Sequence, residues 1–167
     1  MKPQDVVLLL KIVSMDTSNW NQKPVSEELC VSQSEISESV ARLKFAGLLA
    51  PDGKSVMKMS LMEFLEHGIK YVFPEKPGAV VRGMPTSHSA YPLKDELSST
   101  EDYVWPHAKG TVRGHAISPL YKSVPDAAKK DASLYELLAL VDALRVGRVR
   151  EKQLACMYLK RRLRLEE

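Results

Sequence analysis

Cysteine is nearly absent: Cys30 and Cys156 are the only two in 167 residues. They stand far apart with no C-x-x-C, which argues against a disulfide scaffold or a thiolate zinc site and predicts two buried free thiols. Long apolar runs are missing as well. The one early candidate, Val6 to Val13, is broken by Lys11 and is too short to span a bilayer, and no small-residue cleavage site follows it. A cytoplasmic protein without a membrane partner is expected. Hydrophobic residues make up 44% and charged residues 27%, which places the chain among folded domains rather than disordered ones.

The motifs of catalysis are missing too. Gly78-x-x-x-x-Gly83 has the glycine spacing of a phosphate loop, but Met84-Pro85 stands where a lysine and a hydroxyl residue are needed, leaving no ammonium for phosphates and no magnesium ligand. His88, His107 and His115, with Asp102, lack the short paired spacing of metal ligands and are read as solvent-facing or hydrogen-bonded. Ser87-His88-Ser89 places its groups side by side in sequence, which does not make an oriented relay, and no G-x-S-x-G occurs. No catalytic residue, metal or cofactor is predicted, and the chain is not expected to be an enzyme.

Nor does charge of one sign dominate, because the formal net charge is only +3. Its distribution is uneven. Residues 1–60 carry seven Lys/Arg against seven Asp/Glu, residues 61–108 four against seven, and residues 109–167 thirteen against seven. A basic surface is therefore expected from the last third, above all Arg145, Arg148, Arg150, Lys152, Arg161 and Arg162. These read as a solvated face, an extension of a DNA footprint, or a contact for an acidic protein.

What the chain does have is helix punctuation. Pro3 suits the first turn of a helix to about Ser14, with Val6, Leu9, Leu10 and Val13 on one face. A short helix near Pro24 turns Val25 and Leu29 inward. Ser32 and Glu35 have the spacing of a capping box for a third helix, in which Ile36, Val40, Leu43 and Gly47 share one stripe while Ser34, Glu38, Ala41, Arg42 and Phe45 lie opposite. Gly47 closes it in the left-handed conformation. The tight-turn sequence Pro51-Asp-Gly-Lys54 and then SVMKM predict a small hairpin. Ser60-x-x-Glu63 opens a further helix with Leu61, Phe64 and Leu65 inward, ending near Gly68.

The stretch EELCVSQSEISESVARLKFAGLL resembles the helix-turn-helix signature of bacterial winged-helix regulators, notably the MarR-type and feast/famine (Lrp-type) families. The elements that match are the E-L before the turn, the S-x-S-x-apolar-S opening, the L-x-x-x-G-L close and the hairpin after it. The likeness covers about residues 3–59. It implies a homodimer that binds double-stranded DNA and regulates transcription, with the third helix in the major groove. Gln33, Ser34, Ser37 and Arg42 would donate to bases or phosphates, Glu38 would accept from cytosine, and Lys54 and Lys58 of the wing would meet the backbone. Two features depart from the pattern: Cys30 stands where the turn usually has glycine, at a cost of about 1 kcal/mol for most side chains, and the hairpin is short. Glu27, Glu28, Glu35 and Glu38 also crowd the entering end, where phosphates repel them. The alternative is a winged-helix protein-interaction module, for example an antitoxin-like subunit that neutralises a partner protein, with Phe45 as an anchor.

Beyond Phe73 the texture changes, with seven of the ten prolines between Pro74 and Pro125. VVRG at 80–83 and TVRG at 111–114 echo each other as strand-to-turn units. Turn glycines there would expose N–H groups beside Arg82 and Arg113 and so make an anion or ligand site; alternatively each arginine pairs with a loop carboxylate. At the end of the chain, Pro125 opens a helix over DAAKK, Ser133-x-x-Glu136 forms a third capping box, and Gly147 kinks or separates LYELLALVDALRV from the last helix. The expected fold class is mainly α. It comprises a winged helix-turn-helix domain with a short β-hairpin over 1–73, a Pro-rich irregular segment packed on the core over 74–124, and C-terminal helices over 125–167.

Overall fold

The computed structural model describes residues 1–166 and is mainly helical with one small sheet. Three helices open the chain: α1 (Pro3–Met15), α2 (Gln22–Leu29) and α3 (Gln33–Phe45). They are followed by α4 (Lys58–His67) and the single turn α5 (Ile69–Val72). Three strands, β1 (Val80–Pro85), β2 (Tyr103–Pro106) and β3 (Val112–Ala116), then precede α6 (Val124–Lys130), α7 (Ala132–Val146) and α8 (Val149–Arg162).

Two helices run through the centre. Every residue of α1 from Asp5 to Ile12 is buried, and so is nearly the whole of α7 from Leu137 to Arg145. The one-faced helix expected for Val6, Leu9, Leu10 and Val13 is instead covered on all sides, because α3 packs on it from one direction and α7 from another. The core is continuous, joining Leu8 and Leu43 near the N-terminus with Trp105 of the sheet and Leu140 and Leu159 of the last helices.

Local rules fix most of the boundaries. The Glu35 N–H donates to the Ser32 side chain at 3.2 Å, which caps α3, and Gly47 closes it at φ 77°. Cys30 takes the left-handed conformation at φ 56°, as the resemblance required, but it is exposed and Cys156 is half-buried; both are free, so the expected pair of buried thiols is corrected. Two of the expected caps are also corrected. Ser60 lies inside the first turn of α4, which begins at Lys58, and α7 is capped by Asp131 rather than Ser133, the Leu134 N–H donating to its carboxylate at 3.0 Å. Gly147 does separate α7 from α8: a Cβ there would lie 2.3 Å from the Ala143 carbonyl oxygen.

The expected hairpin shrinks to one bridge, Leu49 to Val56, because SVMKM runs almost at once into α4. The segment 74–124, expected to be irregular, holds the sheet. β1 pairs antiparallel with both neighbours, with β3 through Val80–Gly83 and with β2 through Gly83–Pro85, and β2 and β3 meet in parallel at Tyr103–Val104 to close the three strands on one another. The two VRG echoes are thus paired strands and not turns, with Arg82 directly opposite Arg113. Their glycines permit close approach: a Cβ on Gly83 would sit 2.0 Å from the Trp105 carbonyl oxygen, and one on Gly114 2.6 Å from that of Asp102.

The sheet is tied to α7 through a fully buried carboxylate. Asp142 accepts from Thr86 Oγ1 at 2.7 Å, Trp105 Nε1 at 2.7 Å and Arg145 Nη1 at 2.9 Å, while Arg145 also donates to the carbonyls of Phe73 and Ser118. Burial pushes the Asp142 carboxyl above its ordinary pKa, against the opposing pull of Arg145, Thr86 and Trp105.

Candidate nucleic-acid interface

The α2-turn-α3 unit is held by its inner stripe. Ile36, Ser39 and Leu43 are buried, and Val40 is partly covered. The opposite flank is open, with Gln33, Ser34, Ser37, Glu38, Ala41 and Phe45 all exposed, Phe45 at 96%. No other element lies over it, so the polar side chains singled out in the sequence do share one accessible surface.

Arg42 belongs to a different arrangement. Its Nε and Nη2 donate to the two oxygens of Asp5 at 2.9 and 2.8 Å, and its side chain is only 28% exposed. Asp5 is completely buried and accepts two further bonds, from Ser39 Oγ at 2.6 Å and from the Lys2 backbone N–H at 2.8 Å. Burial alone would raise the pKa of this carboxyl, but the bonds from Arg42, Lys2 and Ser39 outweigh it and hold the group below the usual aspartate range. Arg42 therefore fixes α3 against α1 through Nε and Nη2, while its Nη1 lies 3.9 Å from Glu38. Sequence reasoning missed Asp5 and Ser39. The visible signal was weak: an acid in the first turn of an apolar helix reads as a dipole or cap residue, and a partner 37 positions away leaves no periodic trace.

Of the two lysines expected on a wing, Lys54 is similarly engaged. Lys54 Nζ donates to the Trp20 carbonyl and lies 4.5 Å from the centre of the Trp20 ring, whose own Nε1 donates to the Lys54 carbonyl at 2.9 Å. Lys54 and Lys58 line a cavity of about 200 Å³ together with Asp16 and Thr17. Among the acids near the entering end, Glu28 pairs with the buried Lys11 at 2.6 Å, and Lys11 also holds Asp131 at 2.8 Å. Burial would lower the Lys11 pKa, but these two carboxylates hold it above the usual value.

Much of the basic surface expected from the C-terminal third is neutralised. Arg145 is buried on Asp142; Arg161 pairs with Glu166 at 3.3 Å, Lys160 lies 3.8 Å from Glu66, and Arg162 pairs with Glu136. Arg148 and Arg150 remain exposed at the start of α8. Arg82 and Arg113 are both exposed on the sheet. The histidines do not converge on a metal: His88 Nε2 donates to the Glu101 carbonyl at 2.7 Å, His115 Nδ1 to that of Gly78 at 2.9 Å, and His107 faces Asp126 at 3.3 Å. Among the described residues no helix is long and apolar enough to cross a membrane. Set beside family models, curated proteins and solved structures, the chain matches none of them.

Proposed function

We propose that this chain is a sequence-selective DNA-binding regulator of the winged helix-turn-helix kind, which lays α3 in the major groove and acts as a homodimer. The observation that carries this reading is the uncovered polar flank of α3, where Gln33, Ser34, Ser37 and Glu38 project from a helix locked in orientation by Asp5. Side chains of this kind read base edges only when the helix beneath them is rigid, and the buried carboxylate supplies that rigidity. Arg42 is an orienting residue in this scheme. Selecting bound duplexes from a random pool is the direct test: an enriched motif is expected, and its enrichment should fall when Gln33 and Ser37 are changed to alanine. No enrichment, with no mobility shift of any duplex at low salt, would end the reading.

Phe45 favours a second reading. A phenylalanine exposed at 96% on the last turn of α3 is an anchor in search of an apolar pocket, as in a module that neutralises a partner protein. A stoichiometric partner that co-purifies with the chain and is lost on Phe45→Asp, in a variant that still melts normally, would select it.

A further inference from the structure

Away from α3, five exposed cations without an ion pair stand on neighbouring elements. Lys130, at the end of α6, places Nζ 3.6 Å from the Cys30 sulfur in the turn between α2 and α3. Its neighbour Lys129 has Nζ 3.4 Å from Nε2 of His107, in the loop between β2 and β3. The Lys109 backbone N–H donates to Nδ1 of the same ring at 3.1 Å, and Nε2 lies 3.3 Å from Asp126. The His107 N–H donates to the Arg82 carbonyl at 3.1 Å, and Arg82 faces Arg113 across the β1–β3 ladder. A band of neighbouring positions thus runs from the turn before α3 to the sheet and carries Lys130, Lys129, Lys109, Arg82 and Arg113, all exposed. Among the described residues none of the five makes an ion pair, and the acid inside the band, Asp126, is turned to His107.

The arginine pair is the informative member. Directly opposed residues of an antiparallel ladder hold their Cβ atoms about 5 Å apart, and like charges in that position repel. Among the described residues no carboxylate pairs with either arginine. An anion with several oxygens bridging both guanidinium groups removes the repulsion and satisfies their donors. A phosphodiester backbone fits the whole band better than a single small anion, since the other three cations extend it toward the turn that precedes α3.

We infer that the band formed by Arg82, Lys109, Arg113, Lys129 and Lys130 is a second contact surface for duplex DNA, gripping sugar-phosphate backbone beside the groove that α3 enters. This rests on the DNA-binding reading of α3. It also answers a difficulty of that reading, because the acids around the entering end of α3 would be offset by cations supplied from outside the helix-turn-helix.

The test uses the full chain, a fluorescent duplex and a salt titration. Each phosphate neutralised contributes about 0.9 to the slope of log affinity against log salt. Arg82→Gln with Arg113→Gln should therefore lower the slope by about 2, and adding Lys129→Gln with Lys130→Gln by about 2 more. The sequence preference should be unchanged, and melting curves of all variants should match the parent. Arg148→Gln with Arg150→Gln, which removes the same charge from α8, should leave the slope as it was. Three results would overturn the inference: an unchanged slope in the band variants, an equal loss in the α8 variant, or a polyglutamate peptide bound as tightly as duplex and lost in the same variants, which would reassign the band to an acidic protein. If the parent binds no duplex at all, the reading of α3 fails; if the parent binds and the band variants bind alike, only the band fails.

Discussion

Four arginines divide into two kinds. Arg42 on α3 and Arg145 on α7 each meet a buried aspartate, Asp5 or Asp142, in a geometry that also draws in neutral donors. Arg82 and Arg113 stand opposite each other in the register of two strands, and among the described residues neither has an ion pair. The first kind holds elements together: one joins α3 to α1, the other joins α7 to the sheet and to the carbonyls of Phe73 and Ser118. The second kind stabilises nothing in the isolated chain, since like charges face one another with no acid between. A count of basic residues does not distinguish them. What does is whether a desolvated carboxylate lies within reach, and that decides which cations are left for an outside partner.

The contrast is sharpest where a neutral residue replaces one member of a buried pair. Arg145→Met should cost about 3–5 kcal/mol in urea unfolding, because Asp142 would be left charged or forced to protonate in a site that water does not reach. A loss below about 1 kcal/mol, the usual worth of a surface pair, would show that Arg145 is not holding α7 to the sheet.

Arg42→Met should cost somewhat less, about 2–3 kcal/mol, since Ser39 and the Lys2 N–H still serve Asp5. Its signature is in the pH dependence. The Asp5 pKa is lowered by folding, so its contribution is complete above the unfolded value of about 4 and is lost as pH falls through the lower folded value. The gap between parent and variant should therefore be widest near neutrality and close on the acid side. A gap that did not change with pH would mean that the arginine acts through packing alone.

Gly83→Ala should destabilise by about 1–3 kcal/mol, as expected for overpacking, because the new Cβ must displace the Trp105 carbonyl. It should also weaken duplex binding through the band by moving β1 away from its neighbours. Arg82→Gln should go the other way, neutral or stabilising by about 0.2–1 kcal/mol, and Arg113→Gln likewise, with the double variant gaining less than the sum. If either single change instead destabilised by more than about 1 kcal/mol, the pair would belong with Arg42 and Arg145.

The helices were largely legible in the chain. Pro3, Ser32, Gly47, Gly68, Pro125 and Gly147 mark boundaries that the structure keeps, because caps and left-handed turns depend on one or two residues and their immediate neighbours. The sheet was half legible. The VRG echo pointed to related units, but their pairing joins residues about 30 positions apart, and a glycine that admits a carbonyl reads in sequence like a glycine that makes a turn. The hairpin was over-read, since Lys58-Met59 at the end of SVMKM suits a helix start as well as a strand and the packing of Leu61 and Leu65 settles it.

For the candidate interface, the open flank of α3 followed from helical periodicity, and Gln33, Ser34, Ser37 and Glu38 lie where that predicts. The fate of the charges did not follow. Arg42 has the polar position of a groove residue and the contacts of a strut; α8 has the richest basic run and many of its cations are paired, whereas Lys109, Lys129 and Lys130 drew no notice in sequence and stand together on the surface. The sequence alone determined most of the helix boundaries and which face of α3 is polar, for these depend on spacings within one turn. Only the tertiary structure decided which charges are neutralised, because an ion pair forms between groups brought within a few ångströms by the packing of distant segments, and its strength depends on how much water that packing removes.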